Sequence, residues 1–220
     1  MSDEDLMMTR NFWARSFLVA ALFGAVMPVS AAEITSPAKQ AHVTDFASGK
    51  VLFSKNADAP MKPASMAKIM TIFVAFQRIA DGQLSMDDKF TISKKAWKKG
   101  GSRTFLEVGK TVSVRELLHG IIVQSGNDAA IVLAEGISGT ENAFAKEMNF
   151  WAKKIGMKNT NFRNSTGWPN PDLTTTAADL NIMTTELIRR FPADKYPTLY
   201  PIFAKREYTY NNIRQPNRNP

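Results

Sequence analysis

The sequence predicts an α+β domain, on three observations. Two short β-prone runs flank a glycine turn near residue 48, a run from Ser65 to about Ala80 is apolar on most of its faces, and the later segments carry the start and stop signals of helices. No internal repeat or low-complexity linker divides the chain.

The first segment is set apart from the domain. Arg10 and Arg15 precede an uncharged stretch, Ser16 to Met27, and then Pro28-Val29-Ser30-Ala31-Ala32-Glu33. A positive start, an apolar segment too short to span a bilayer and small residues behind it make a secretory signal peptide, with cleavage expected just before Ala32 or Glu33. The acidic Ser2-Asp3-Glu4-Asp5 does not suit a positive leader and points to translation from Met7 or Met8. Residues 1–32 are the expected signal, and residues 33–220 the exported domain.

That domain opens with Val43-Thr44-Asp45-Phe46 and Val51-Leu52-Phe53 around Ala47-Ser48-Gly49-Lys50, the pattern of a β-hairpin. Pro63 then precedes the apolar run, which stops at Asp81-Gly82 as a buried helix with a C-terminal glycine does. A helix apolar on most faces needs cover, and a sheet face is expected to give it. Residues 83–112 are polar, basic and punctuated by glycine, and no regular element is assigned there. Ser113-x-x-Glu116 is a capping box opening a helix over 114–123, and a second helix is expected from Asp128 to Glu135, stopped by Gly136. Further helices are expected from Glu141 to Ile155, ending at Gly156, and from Thr176 to Arg190, ending before Pro192. The tail from Tyr208 to Pro220, rich in Asn, Arg and Pro, is read as loop, which leaves a single hairpin.

Composition narrows the chemistry. A formal charge of +8 suits nucleic acid, anionic lipid or the polyanionic cell envelope. The export signal selects the envelope, and Lys94-Lys95 and Lys98-Lys99 read as solvated faces, so no nucleic-acid partner is expected. With no cysteine there are no disulfides and no thiolate chemistry, and His42 and His119 are too few for a His-rich metal site. His119, set among Leu117, Leu118 and Ile121, reads as a helix residue rather than a base.

Ser65 and Lys68, at i and i+3, share one face of a helix and can reach each other. Burial disfavours a lysine's charged form and lets it serve as base to a serine nucleophile, while a helix N-terminus favours developing negative charge. On these residues alone a second reading stands beside the first: Ser65 as the helix N-cap. The spacing recurs at Ser36-Pro37-Ala38-Lys39, ahead of a strand pattern rather than a helix. Ser125-Gly126-Asn127 falls between two expected helices, 60 residues after Ser65, where a hydroxyl could relay protons and an amide orient a substrate.

Ser-x-x-Lys followed by a Ser-Gly-Asn variant of Ser-Asp-Asn resembles the signature of penicillin-recognising serine enzymes. The stretches Lys50 to Asp58, Pro63 to Thr71, Gly101 to Gly109, Gly120 to Ala129, Asn164 to Pro169 and Tyr210 to Asn219 are similar to the D-alanyl-D-alanine carboxypeptidases, the low-molecular-mass penicillin-binding proteins. The resemblance implies a penicillin-binding transpeptidase or β-lactamase-like fold: an antiparallel sheet with helices on both faces plus an all-helical part. It implies Ser65 as acylated nucleophile, with its backbone N–H in the oxyanion hole, Lys68 as base, Ser125 as proton relay and Asn127 as an orienting contact to the substrate amide. It implies the D-Ala-D-Ala end of a peptidoglycan stem peptide as substrate, β-lactams as acylating inhibitors, no metal or cofactor, a periplasmic or cell-envelope location, and membrane association only through a C-terminal segment beyond these residues. The third motif of these enzymes, Lys-Thr-Gly, does not occur; Lys110-Thr111-Val112 has the wrong third residue and precedes Ser125. The resemblance therefore implies a C-terminally truncated domain that lacks the strand bearing that motif. Two alternatives share the first two motifs: an inactive remnant that binds peptidoglycan, and a D,D-endopeptidase. A class A β-lactamase is disfavoured, because Ala177 stands where the glutamate of Glu-x-x-Leu-Asn belongs ahead of Leu180-Asn181.

Overall fold

The computed structural model describes residues 34–218, so the expected signal peptide lies outside the described residues. At the centre of the domain is helix α1 (Ala67–Ala80), entered through a 3-10 turn at Ala64–Met66. Lys68 and every residue from Met70 to Phe76 are buried. Its cover comes from helices rather than from the expected sheet face. α3 (Val114–Gln124), α4 (Asn127–Ser138), α5 (Glu141–Lys154) and α6 (Ala177–Arg190) all pack against it. Aromatic side chains close the far end: Phe73 and Phe76 meet Phe191, just past α6, edge-on at 5.6 and 5.5 Å. Edge-to-face contact at such distances places the positive ring edge on a negative ring face and adds to the area buried.

The helix boundaries follow from local chemistry. Ser113 accepts from Glu116 N while the Glu116 carboxylate accepts from Ser113 N, the reciprocal capping box read from the sequence. Thr140 and Thr176 cap α5 and α6 by accepting from Ala143 N and Asp179 N. α4 runs past Gly136, contrary to expectation, and stops at Gly139, whose φ of +76° is left-handed. Gly136 is instead a close-approach site, since a Cβ there would stand 2.1 Å from the Phe90 ring. The helix expected from Ser65 becomes α-helical only at Ala67, and no side chain caps it. Ser65 lies inside the preceding 3-10 turn, so the N-cap reading fails.

The strands differ more from expectation. β1 (Ala41–Thr44) pairs antiparallel with β2 (Val51–Lys55), as the hairpin reading required. Asp45 and Phe46 belong to the turn rather than the strand, because the Asp45 carboxylate folds over to accept from Ser48 N at 2.8 Å. The region left without regular elements holds β3 (Lys89–Thr91), the short helix α2 (Lys94–Lys98) and β4 (Thr111–Ser113), with β3 and β4 paired. The tail read as loop forms a hairpin, β5 (Glu207–Tyr210) with β6 (Ile213–Pro216). Its two-residue turn, Asn211-Asn212, has φ of +46° and +62°, which asparagine tolerates and a type I′ turn demands. Among the described residues the strands thus make three separate two-stranded antiparallel ribbons, where the resemblance implied one sheet. The α+β class stands.

Candidate active site

Two loops and the start of α1 build the site. The segment 157–176 is tied to the chain just before Ser65 by bridges between Met61 and Thr175, and Lys62 Nζ donates to Pro171 O and Leu173 O at 2.6 and 2.8 Å. Within that segment Asn164 organises a tight turn, its Oδ1 accepting from Gly167 N at 2.7 Å and Trp168 N at 3.0 Å. Gly167 (φ +77°) brings the turn so near the head of α1 that a Cβ would lie 1.7 Å from Ala64 O. Only glycine fits there.

The turn thereby presents two successive carbonyls to α1. Ser165 O accepts from Thr71 Oγ1 at 2.7 Å, and Thr166 O accepts from Lys68 Nζ at 2.8 Å. Lys68 Nζ also stands 3.2 Å from Ser65 Oγ. The lysine is 3% exposed, and burial first, with the Arg218 guanidinium second, brings its ammonium down to about 8. A charge in a low-dielectric interior is disfavoured, and a second cation nearby adds to the effect. Ser65 itself is exposed, and the residue before it, Ala64, is held at φ +47°. A side chain bearing a Cβ costs about 1–2 kcal/mol in that region, which marks the approach to Ser65 as strained.

Ser125 ends α3 in the left-handed region, at φ +58°, where Gly126 N donates back to Gly120 O at 3.0 Å. Ser65, Lys68 and Ser125 line one pocket of about 610 Å³, together with Ile72, Phe203 and Arg218. Asn127 opens α4 and is 6% exposed; its Nδ2 donates to Gly100 O and its backbone N to Ser102 O, both at 2.8 Å. It does not line that pocket. The Asp128 carboxylate, fully buried, accepts from Thr104 N at 2.8 Å and Leu106 N at 3.2 Å, fastening the loop 100–106 over the second motif.

Three of the four residues selected from the sequence are therefore brought together in one pocket, while Asn127, two residues past Ser125, holds Gly100 and Ser102 and does not line it. The decoy pair Ser36 and Lys39 lies outside any helix, with Ser36 Oγ accepting from Ala38 N. Lys110 precedes β4 and is paired with Glu107 at 2.6 Å, away from the pocket. His119 lies in α3, its ring beside Tyr208. Sequence reasoning missed Thr166, whose contribution is a backbone carbonyl, as well as Asp128 and Arg218. The Asn-Ser-Thr-Gly turn was a usable signal for the first, since it packs a self-bonding asparagine and a glycine into four residues.

Residues 26–220 match the family model described as D-alanyl-D-alanine carboxypeptidase. The chain belongs to the D-alanyl-D-alanine carboxypeptidase family. It is 41% identical over 181 residues to D-alanyl-D-alanine carboxypeptidase DacC of Escherichia coli, covering 80% of this chain and 44% of that protein. It is also 41% identical over 173 residues to the carboxypeptidase DacF of Bacillus subtilis, covering 79% of this chain and 44% of that protein. Among solved structures, penicillin binding protein 5 from Haemophilus influenzae superposes with a TM-score of 0.79 at 36% identity, over 85% of this chain and 55% of that one. This member of the family thus spans a little under half the length of the curated relatives it matches, and its fold is that of the penicillin-binding proteins.

Proposed function

We propose that this chain carries the acylating machinery of a serine D-alanyl-D-alanine carboxypeptidase acting on peptidoglycan stem peptides. One observation carries the reading: a buried lysine amine, brought toward neutrality, 3.2 Å from an exposed serine hydroxyl in a pocket shared with a second serine. In its neutral form Lys68 takes the proton of Ser65 Oγ as that oxygen bonds to the carbonyl carbon of the penultimate D-alanine. Ser125 gives its hydroxyl proton to the amide nitrogen as the C–N bond breaks and takes in exchange the proton that Lys68 had received, releasing D-alanine and leaving an ester on Ser65 and a neutral Lys68. Water then cleaves that ester. A β-lactam offers a ring-strained amide carbonyl in place of the peptide's ordinary one and keeps its leaving nitrogen tethered, so the acyl-enzyme persists. The bond of Asn127 to Gly100 takes one of its two amide N–H groups, and the second N–H and Oδ1 are the groups that would meet a substrate amide.

The name of the Haemophilus relative supports the penicillin reaction, and the family supports the substrate. The signal-like segment supports export to the cell envelope. The test is release of D-alanine by the full-length protein from a peptide ending in D-Ala-D-Ala. We expect turnover that is blocked by prior treatment with penicillin and lowered by about a hundredfold in Ser125→Ala, as for loss of a proton-transfer group. Turnover insensitive to penicillin contradicts the proposal.

A further inference from the structure

Glu141 stands at the first turn of α5 and is nearly buried, yet it contacts neither Ser65 nor Lys68 in any hydrogen bond. Its Oε1 accepts from Ser165 N at 3.2 Å and from Ser165 Oγ at 2.9 Å. Its Oε2 pairs with Lys95 of α2 at 2.6 Å. Ser165 is the residue whose carbonyl is held by Thr71 of α1, and the next carbonyl, Thr166 O, is the acceptor of Lys68. Ser165, the residue just before the carbonyl that receives the lysine, is therefore gripped from α1 by one hydroxyl at its own carbonyl and from α5 by one carboxylate at its N–H and hydroxyl.

The grip matters because of what a neutral lysine must do. A primary amine has two N–H donors and one lone pair, and it is a base toward Ser65 only when that lone pair faces the hydroxyl. Thr166 O fixes one N–H and so limits rotation about the Cε–Nζ bond. A carbonyl displaced by a fraction of an ångström leaves the amine free to turn its lone pair away.

We infer that Glu141 is a positioning residue for the acylation step, acting through Ser165 and Thr166 to aim the Lys68 amine at Ser65. The carboxylate suits the task better than a neutral acceptor alone, because it takes two donors from Ser165 on one oxygen while Lys95 holds the other. The charged groups around it are Lys95, Glu135 (4.0 Å from Lys95) and Lys99, whose own ammonium is pushed down first by burial. Around Lys68 the charged neighbour is Arg218.

This inference rests on Ser65 being the acylated serine, and the experiment separates the two. The second-order rate of acylation by a fluorescent penicillin is measured in the full-length protein from pH 6 to 10.5, alongside thermal unfolding. The variants are Glu141→Ala, Glu141→Gln, Ser165→Ala, Thr71→Val and the control Ser65→Ala. We expect Glu141→Ala to slow acylation by about tenfold or more, the scale of a misplaced reacting group, and to move the midpoint of the pH profile. Glu141→Gln, which keeps an acceptor for Ser165, restores most of the rate. Ser165→Ala shows a smaller loss with the same displaced midpoint, and it carries the test if Glu141→Ala does not fold. Glu141→Ala and Thr71→Val, which both act on Ser165, combine non-additively. Variants that lose thermal stability while keeping both the rate per folded molecule and the midpoint of the parent overturn the inference. Labelling that survives Ser65→Ala overturns the underlying assignment instead.

Discussion

Removing the charge of Lys68 tests the electrostatics of the site through folding stability, independently of turnover. In the folded protein burial lowers this ammonium from its ordinary 10.5 to about 8, with Arg218 adding to the fall. At about 1.4 kcal/mol for each tenfold change in proton affinity, holding the charged form inside costs the native state on the order of 3 kcal/mol. The sign follows from proton counting. Below about pH 8 both folded and unfolded chains carry the proton and the full cost is present. Between about 8 and 10.5 the unfolded chain binds more protons than the folded one, so the unfolding free energy rises with pH. Above that range the cost is gone. Lys68→Met removes the charge but also the bonds to Ser65 and Thr166, each worth about 1 kcal/mol. The variant should therefore be more stable than the parent at pH 7, by about 1–2 kcal/mol, and the advantage should shrink and reverse toward pH 10.5. Urea unfolding of both proteins at unit steps of pH measures it. A stability difference that stays constant from pH 7 to 10.5 refutes the reasoning, because it means that Lys68 titrates in the folded protein as it does in the unfolded chain.

Other substitutions probe the frame around the site. Gly167→Ala forces a Cβ to within 1.7 Å of Ala64 O at a left-handed φ, and should cost about 3 kcal/mol or more in urea unfolding and slow acylation by displacing Thr166. Asp128→Ala leaves the N–H groups of Thr104 and Leu106 buried without their acceptor and should destabilise by about 2–4 kcal/mol, with hydrogen exchange rising first in residues 100–106. Gly136→Ala drives a methyl into the Phe90 ring and should cost about 1–3 kcal/mol; no change in midpoint would mean that the Phe90 ring does not press on α4 at this position.

Much of this domain was readable because its signals are local. Ser113 with Glu116, Thr176 with Asp179 and the glycines past α1 and α5 set helix ends through contacts within four residues. The pairing of Ser65 with Lys68 was readable for the same reason, as both lie within one turn. What escaped was decided by partners distant in sequence. Gly136 read as a stop because its neighbour Phe90, which makes a small residue necessary within α4, is 46 residues away. β3 and β4 are three residues each, too short to show alternation, and exist because Ile92 and Val112 are pulled into the core. The β5–β6 hairpin was hidden behind polar strands, although Asn211-Asn212 between Tyr210 and Ile213 was a turn signal of the right type. Ser65 carried two readings until its place in the 3-10 turn, one residue before Met66, removed the capping role.

The central claim is that the exposed hydroxyl of Ser65 is the group acylated. Mass spectrometry of the full-length protein after reaction with a penicillin, followed by peptide mapping, tests it most directly. The account predicts a single added penicillin, located on the peptide containing Ser65, absent in Ser65→Ala and formed at a rate that rises with pH through about 8 as Lys68 loses its proton. An adduct on Ser36 or Ser125, or one on Ser65 whose rate does not change between pH 6 and 10, contradicts it.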